Sequence, residues 1–240
     1  MAIESNQVRF TTTKWTDIFP DQPDDSVVRH DALTRLCQTY WYPLYAFVRQ
    51  RGHDPHEAQD LTQGFFASLL AKDFLKSVAA EKGKFRTFLL AALKNYLANE
   101  WDRKTAQKRG GGQQIISIDA EDAESRFKLE PVDTMSADKI YERRWAMTVL
   151  DRALAALRAE QSRVELYDAL KTTITGERSE ESYAEIGARL NLTEGAVKVV
   201  AHRLRKRYRE LIREEISDCV SSVHEIEEEL LNLFAALSAH

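Results

Sequence analysis

Apolar residues recur every three or four positions along most of the chain, and this spacing predicts helices. From Asp31 onward, Leu33, Leu36, Cys37, Tyr40, Leu44, Phe47 and Val48 share one face. Pro43 falls inside that helix and bends it, because proline removes an amide donor and crowds the preceding turn. Gly52 ends it. Asp54 then caps a second helix with Pro55 at its first position, a strong start signal, and this helix presents Leu61, Phe65 and Leu69 on one side. A short helix is expected around 73–80. The next long one, 84–107, carries Phe85, Phe88, Leu89, Ala92 and Tyr96 as a core stripe. Gly110, Gly111 and Gly112 break the chain, and 113–137 reads as an extended linker. Its Ile115-Ile116-Ser117-Ile118 could pair as a strand, but an isolated strand is marginal. Helices resume at 137–159 and 163–174, followed by a compact pair at 182–190 and 194–214. A last helix at 222–238 repeats Val223, Ile226, Leu230, Leu233 and Leu237, with acids on its other side. Residues 1–27 are polar, contain Pro20 and Pro23, and read as a loosely docked arm anchored by Trp15.

The expectation is an all-α chain. Two small helical domains, 28–108 and 139–214, are joined by a linker over 109–138, with a C-terminal helical extension over 215–240. The length of 240 residues suits two modest domains, on a prior of roughly 100–200 residues each. Hydrophobics at 43% and charged residues at 30% fit a soluble helical protein. No run approaches the ~18 apolar residues of a membrane span, and no signal peptide is visible at the N-terminus. Cys37 and Cys219 have no metal-ligand spacing and no disulfide framework around them, so a reducing cytoplasm is expected.

Charge changes this picture through its distribution. The chain has 34 Lys+Arg against 38 Asp+Glu, for a formal charge of −4. Residues 84–109 nevertheless carry seven bases against Glu100 and Asp102, and residues 183–213 carry eight against Glu185, Glu194 and Glu210. Between them, 113–139 holds seven acids and three bases, and 214–240 has seven acids with no Lys or Arg. Two basic blocks with acidic connectors suit a bipartite polyanion binder carrying internal counter-charge.

Residues 183–211 have the layout of a helix-turn-helix. Ile186 and Leu190 give the first helix its apolar side, Ala188 is small, Asn191 supports the turn and Leu192 plugs the core. Thr193 is placed to cap the second helix, and Glu194 favours its positive end. There Val197, Ala201, Leu204, Tyr208 and Leu211 recur at helical spacing. Their burial leaves Lys198, Val199, His202, Arg203 and Lys206 to face a major groove, with early residues on base edges and later bases on phosphate. The plainer reading is an amphipathic helix with a solvated basic face. His202 has no partner at ligand spacing, and His53 and His56 read as loop residues rather than a zinc site. No metal, cofactor or catalytic group is expected.

The first basic block alternates bases with aromatics, and Asn95, Asn99 and Asp102 form a polar ridge beside its apolar stripe. Amides and indoles next to phosphate-binding bases suit single-stranded or opened DNA, whose bases stack and hydrogen-bond. Phe85, Phe88 and Tyr96 are more simply core. Trp101, Arg103 and Lys104 lie beyond the stripe's end and keep the functional reading.

Taken in order, these segments resemble the bacterial sigma-70 family of RNA polymerase sigma factors, specifically its short extracytoplasmic-function group, over roughly residues 28–214. The most specific pieces are Gln59-Asp60-Leu61-Thr62-Gln63 followed by Phe65-Phe66, and Tyr183-Ala184-Glu185-Ile186 followed by Thr193-Glu194-Gly195-Ala196-Val197-Lys198. The resemblance implies a non-enzymatic subunit that directs transcription initiation, with core RNA polymerase (its clamp helices and flap) and promoter DNA as partners. It places Asp60, Gln63 and Phe66 on the clamp helices. Asn95, Asn99 and Arg103, with Trp101 and Lys104 beside them, fall where the minus-ten element is melted and read. Thr193, Lys198, Val199, His202, Arg203 and Lys206 fall on the minus-thirty-five element, and the acidic linker lies in the RNA-exit path.

Departures from the family pattern carry their own expectations. Gln59 and Gly64 stand where many relatives have acids, leaving Asp60 with less support. Phosphorylation of Thr62 by a Ser/Thr kinase would add about −1.5 to −2 charge there; the alternative is that Thr62 merely packs. An anti-sigma factor is a further regulator the family admits. The acidic tail either folds across the basic groove-reading face as an inhibitor or packs on a neighbour. From another class, a dimeric helix-turn-helix regulator would bind palindromic operators without polymerase.

Overall fold

The computed structural model describes residues 26–70, 85–106, 120–129, 135–177, 181–217, 219–220 and 223–238. Their regular structure is entirely helical: α1 (Ser26–Gln50), α2 (Pro55–Leu70), α3 (Phe85–Ala106), α4 (Ala120–Leu129), α5 (Ala137–Ala159), α6 (Val164–Thr175), α7 (Tyr183–Arg189), α8 (Glu194–Ser217) and α9 (Val223–Ser238). The expected arm with Trp15, the helix at 73–80, the Gly110–Gly112 break and the strand at Ile115–Ile118 lie outside the described residues. No helix among the described residues is long and apolar enough to cross a membrane.

Local signals set the boundaries. α1 runs through Pro43 and closes where Gly52 takes φ 92° and its amide donates to the Arg49 carbonyl at 3.0 Å. Asp54 Oδ1 then accepts from the Glu57 amide at 2.9 Å, capping α2. Ser136 caps α5, its side chain accepting from the Lys139 amide. Gly176, at φ 84°, lets the chain leave α6 in the left-handed conformation that glycine adopts at no steric cost.

α1 and α5 form the central seam. Tyr40, Trp41, Leu44, Tyr45 and Phe47 from the first are buried with Tyr141, Trp145, Val149 and Ala153 from the second. α2 and α3 extend this core through Phe65, Phe66, Leu69, Phe85, Leu89 and Leu93, and α8 extends it through Val197, Leu204, Leu211 and Ile216. These residues make one continuous cluster across both halves of the chain. Each large side chain so buried contributes about 1.5–3 kcal/mol. The seam is therefore a major apolar interface and not a casual contact between two self-contained cores.

The linker expected to be extended is helical over α4. Ala, Glu, Arg, Lys and Leu dominate its ten residues, all good helix formers. Arg126 and Lys128 in its last turn complement the helix dipole. α4 docks on α1 through buried Ala123 and through Glu124, which accepts from Tyr45 Oη at 2.5 Å, Arg49 Nε at 3.0 Å and Arg49 Nη2 at 3.1 Å. Arg126 lies 4.3 Å above the Tyr42 ring. Burial works against the Glu124 charge, but the Arg49 and Tyr45 hydrogen bonds outweigh it and hold the carboxyl below the usual glutamate range.

Candidate nucleic-acid interface

The pair α7–α8 is built by three local devices. Ser182 and Glu185 form a reciprocal capping box at the start of α7: the Ser182 amide donates to Glu185 Oε2 at 2.7 Å, and Ser182 Oγ accepts from the Glu185 amide at 3.3 Å. Asn191 takes φ 55°, the left-handed conformation the turn needs, and asparagine tolerates it better than most residues. Thr193 Oγ1 accepts from the Ala196 amide at 3.2 Å and starts α8. The small residue that matters is Gly187, not Ala188, which is exposed. The Leu192 amide donates to the Gly187 carbonyl at 2.8 Å. A Cβ at 187 would sit 2.7 Å from the Leu192 carbonyl oxygen, closer than such atoms approach.

On α8 the expected faces are observed. Val197, Ala201, Leu204, Tyr208 and Leu211 are buried, while Lys198, Val199, His202, Arg203 and Lys206 are exposed. Many bases of this block are committed elsewhere. Arg189 pairs with Glu181 at 2.6 Å and Arg213 with Glu227 at 3.1 Å. Arg207 binds Glu160 at 2.7 Å and Glu214 at 2.8 Å, which lowers the Glu160 carboxyl below its ordinary range. Arg205 donates to the Thr173 carbonyl at 3.3 Å and to Tyr183 Oη, tying α8 to α6 and α7. Lys198 is held by Glu194 one turn away at 2.6 Å. Among the described residues His202, Arg203, Lys206 and Arg209 have no ion-pair partner. Arg209 continues the row of Lys198, His202 and Lys206, and it was legible from the same helical spacing.

The first basic block is corrected more deeply. Arg86, counted as a phosphate-binding cation, is buried and pairs with Glu142 of α5 and Glu229 of α9, its guanidinium 4.7 Å from the Trp145 ring. Lys94 pairs with Asp138 at 2.6 Å. Arg103 and Lys104 fall in the last turn of α3, and their side chains lie outside what the structure describes. Asn95 and Asn99 are exposed, and Trp101 is 67% exposed on the same helix. Phe85 is buried and Phe88 and Tyr96 pack on the core, as the plainer reading expects.

On α2, Asp60 is exposed, Gln63 is half-buried, and Phe66 is fully buried among the core aromatics, 5.7 Å from Phe65. Phe66 therefore presents no surface for a partner in this conformation. Thr62 is fully buried as well, its hydroxyl donating to the Ala58 carbonyl at 2.7 Å. The surface hydroxyl that a kinase needs is not there. Gly64 has a structural reason: a Cβ would collide with the Tyr96 hydroxyl of α3, so an acid cannot stand at that position without moving the ring.

α9 docks on α5 and α8 through buried Leu230 and Leu233, and its Glu227 reaches Arg213. The groove-facing residues Lys198 to Lys206 stay exposed, so the tail packs on its neighbours instead of crossing them. A cleft of about 400 Å³ opens beside the turn, lined by Ser162, Arg163, Val164, Glu165, Leu166 and Leu190. Among the described residues no group of three His, Cys, Asp or Glu could hold a metal ion, and His53 is paired with Glu57 at 2.9 Å. Comparison with known families, curated proteins and solved structures finds no match.

Proposed function

We propose that the chain is an RNA polymerase sigma factor that directs transcription initiation by binding core polymerase in the cytoplasm and recognising and melting a two-element promoter. The observation that carries this reading is the pairing, on one chain, of two unlike exposed surfaces. One is a capped helix-turn-helix whose second helix offers His202, Arg203, Lys206 and Arg209 without internal counter-ions. The other is α3, which exposes the amides of Asn95 and Asn99 on one side and the indole of Trp101 on another, nearer its C-terminal end. A duplex reader needs the first and has no use for the second. An exposed indole offers an unstacked base a platform, worth about 1–3 kcal/mol per stacked base, and exposed amides can hydrogen-bond its edges.

In this reading the units 28–108 and 139–214 act on the minus-ten and minus-thirty-five elements respectively. Lys198, Val199, His202 and Arg203 read or flank bases, and Lys206 and Arg209 hold phosphates. Thr193 acts through the cap that orients the helix. Asp60 and Gln63 supply the clamp contacts, and the cleft beside Leu190 suits the flap. The chain performs no bond chemistry itself. It positions promoter and polymerase, and the polymerase supplies nucleotidyl transfer.

Run-off transcription with purified core polymerase on a promoter library tests the proposal. Transcripts from an asymmetric two-box promoter, lost when Trp101→Ala or Arg203→Ala is introduced, are the expected result. Tight binding to palindromic operators as a dimer, with no transcription under any condition, would replace this reading with the regulator.

A further inference from the structure

The groove-facing row of α8 begins with an acid. Glu194, Lys198, His202, Lys206 and Arg209 succeed one another along one exposed side of the helix, and of these only Glu194 is negative. Lys198 Nζ folds back over it at 2.6 Å, although both side chains are more than half exposed. Arg207 and Arg213 tie α8 to Glu160 and Glu227 of other segments, whereas the Glu194–Lys198 pair joins α8 only to itself. So exposed a pair adds little to the stability of the fold. Glu194 does raise the Lys198 ammonium above the ordinary lysine range, which keeps the donor charged. Beside the pair stands Gly195. Its backbone is helical and a Cβ there would meet nothing within 4 Å, so neither conformation nor packing requires glycine. Glycine in a helix is weaker than alanine, and what it leaves is bare backbone that a ligand can approach closely.

Phosphates repel a carboxylate, so the leading end of α8 belongs over base edges and its later cations over the backbone. Each base pair offers its own order of donors and acceptors in the major groove. In a G·C pair, guanine N7 and O6 accept side by side, and the cytosine N4 amino group donates next to them. Lys198 carries donors only and Glu194 acceptors only, and the two stand side by side as O6 and N4 do. C·G and A·T pairs present the reverse order. A T·A pair keeps the order, but its thymine methyl crowds the ammonium and its adenine N7 repels the carboxylate. We infer that Glu194 and Lys198 act as one unit reading a single G·C pair in one orientation, Lys198 donating to guanine and Glu194 accepting from cytosine, with Gly195 clearing the approach. Placing that pair in the upstream element of a promoter rests on the sigma-factor reading.

The test selects promoters randomised across the upstream element, transcribed by core polymerase with the full chain, alongside random duplexes bound by the full chain alone. Wild type is expected to favour G·C over T·A by about tenfold at one position of that element. Lys198→Ala and Glu194→Ala should each flatten this position and leave the others as they were. Exchange of the two, Glu194→Lys together with Lys198→Glu, should turn the preference to C·G, which a merely helix-stabilising pair would not do. Gly195→Leu should lower transcription by about tenfold without lowering the midpoint of thermal unfolding, since leucine is the better helix former. If circular dichroism shows that the exchanged chain has lost helix, the single alanine variants decide. An unchanged base preference in the alanine variants, or a loss spread evenly over all sequences as for a phosphate contact, would overturn the assignment and leave the sigma-factor reading standing. No transcription from any promoter, with G·C still selected on free duplexes and lost in the alanine variants, would uphold the pair and overturn the sigma-factor reading instead.

Discussion

Lys206 and Arg207 are adjacent on α8 and have opposite employments. Lys206 is exposed with no ion-pair partner among the described residues, while Arg207 is spent on Glu160, Glu210 and Glu214. Lys206→Ala should weaken promoter binding, lower the magnitude of its salt slope by about one, and leave stability within about 0.5 kcal/mol. Arg207→Ala should leave the salt slope alone and cost about 1 kcal/mol, since its partners are partly exposed and screened. Fluorescence anisotropy across a salt series and urea melts separate the two, and a reversed pattern would mean that the groove-facing side of α8 is misassigned. Thr62 makes the same point about position. Thr62→Val should be tolerated at a cost of about 1 kcal/mol, the net worth of its hydrogen bond to Ala58. Thr62→Glu forces a charge into the core and should destabilise by about 3 kcal/mol or more. If Thr62→Glu instead melts like wild type and binds polymerase better, α2 is not packed as described.

At the scale of the element, α4 shows where the sequence stops being informative. Periodicity located α1, α2, α3 and the five helices from α5 onward, because each buries a stripe wide enough to read. Among the described side chains of α4 only Ala123 is buried, with Phe127 and polar contacts beside it, and so thin an apolar signal does not distinguish a helix from an acidic linker. The α7–α8 turn was legible in outline through Asn191 and Thr193. The identity of its small residue was not, because the approach of the Leu192 carbonyl to Gly187 is a tertiary fact. Likewise Arg86 and Lys84 look alike in the chain, and only packing reveals that Arg86 is drawn inward. α4's docking has a pH signature. Glu124 in the folded chain titrates below its unfolded range of about 4.3, so the unfolded chain binds the proton first. Its contribution is complete above about pH 4.3 and is lost as pH falls through the lowered value. Wild type should therefore lose more stability than Glu124→Gln between about pH 5 and pH 3. Glu160 and Glu185 are lowered too and remain in both proteins, so the difference isolates Glu124. At neutral pH the substitution should cost about 1–3 kcal/mol, since Arg49 and Tyr45 lose a charged acceptor. Parallel pH curves in urea melts would show that α4 is not held by this carboxylate.

The whole molecule departs from the sequence expectation in one consequential way: the two halves share a core. Sequence spacing identifies stripes but not their partners, and the α1 stripe that would serve a small bundle of α1, α2 and α3 also covers α5. Two independent domains would unfold in two steps, each with its own midpoint. A single cluster spanning both halves should unfold as one cooperative unit, because opening the seam exposes Trp41, Tyr45, Tyr141 and Trp145 together. Trp41 on α1 and Trp145 on α5 are fluorescent reporters of the two halves, and Trp101, already exposed on α3, reports little change in burial. Single-tryptophan variants that keep only Trp41 or only Trp145, with the others replaced by Phe, should give coincident urea midpoints. Their shared slope should match that of helical circular dichroism. Removing residues 223–240 takes away Glu229 and the apolar face over α5 and α8. The truncated chain should then show two separated midpoints, with the Trp41 signal moving to lower urea. Coincidence that survives the truncation would mean the α1–α5 seam holds the halves together without α9. Separate midpoints in the intact chain would mean the halves are independent from the outset, and the shared core would then have to be abandoned.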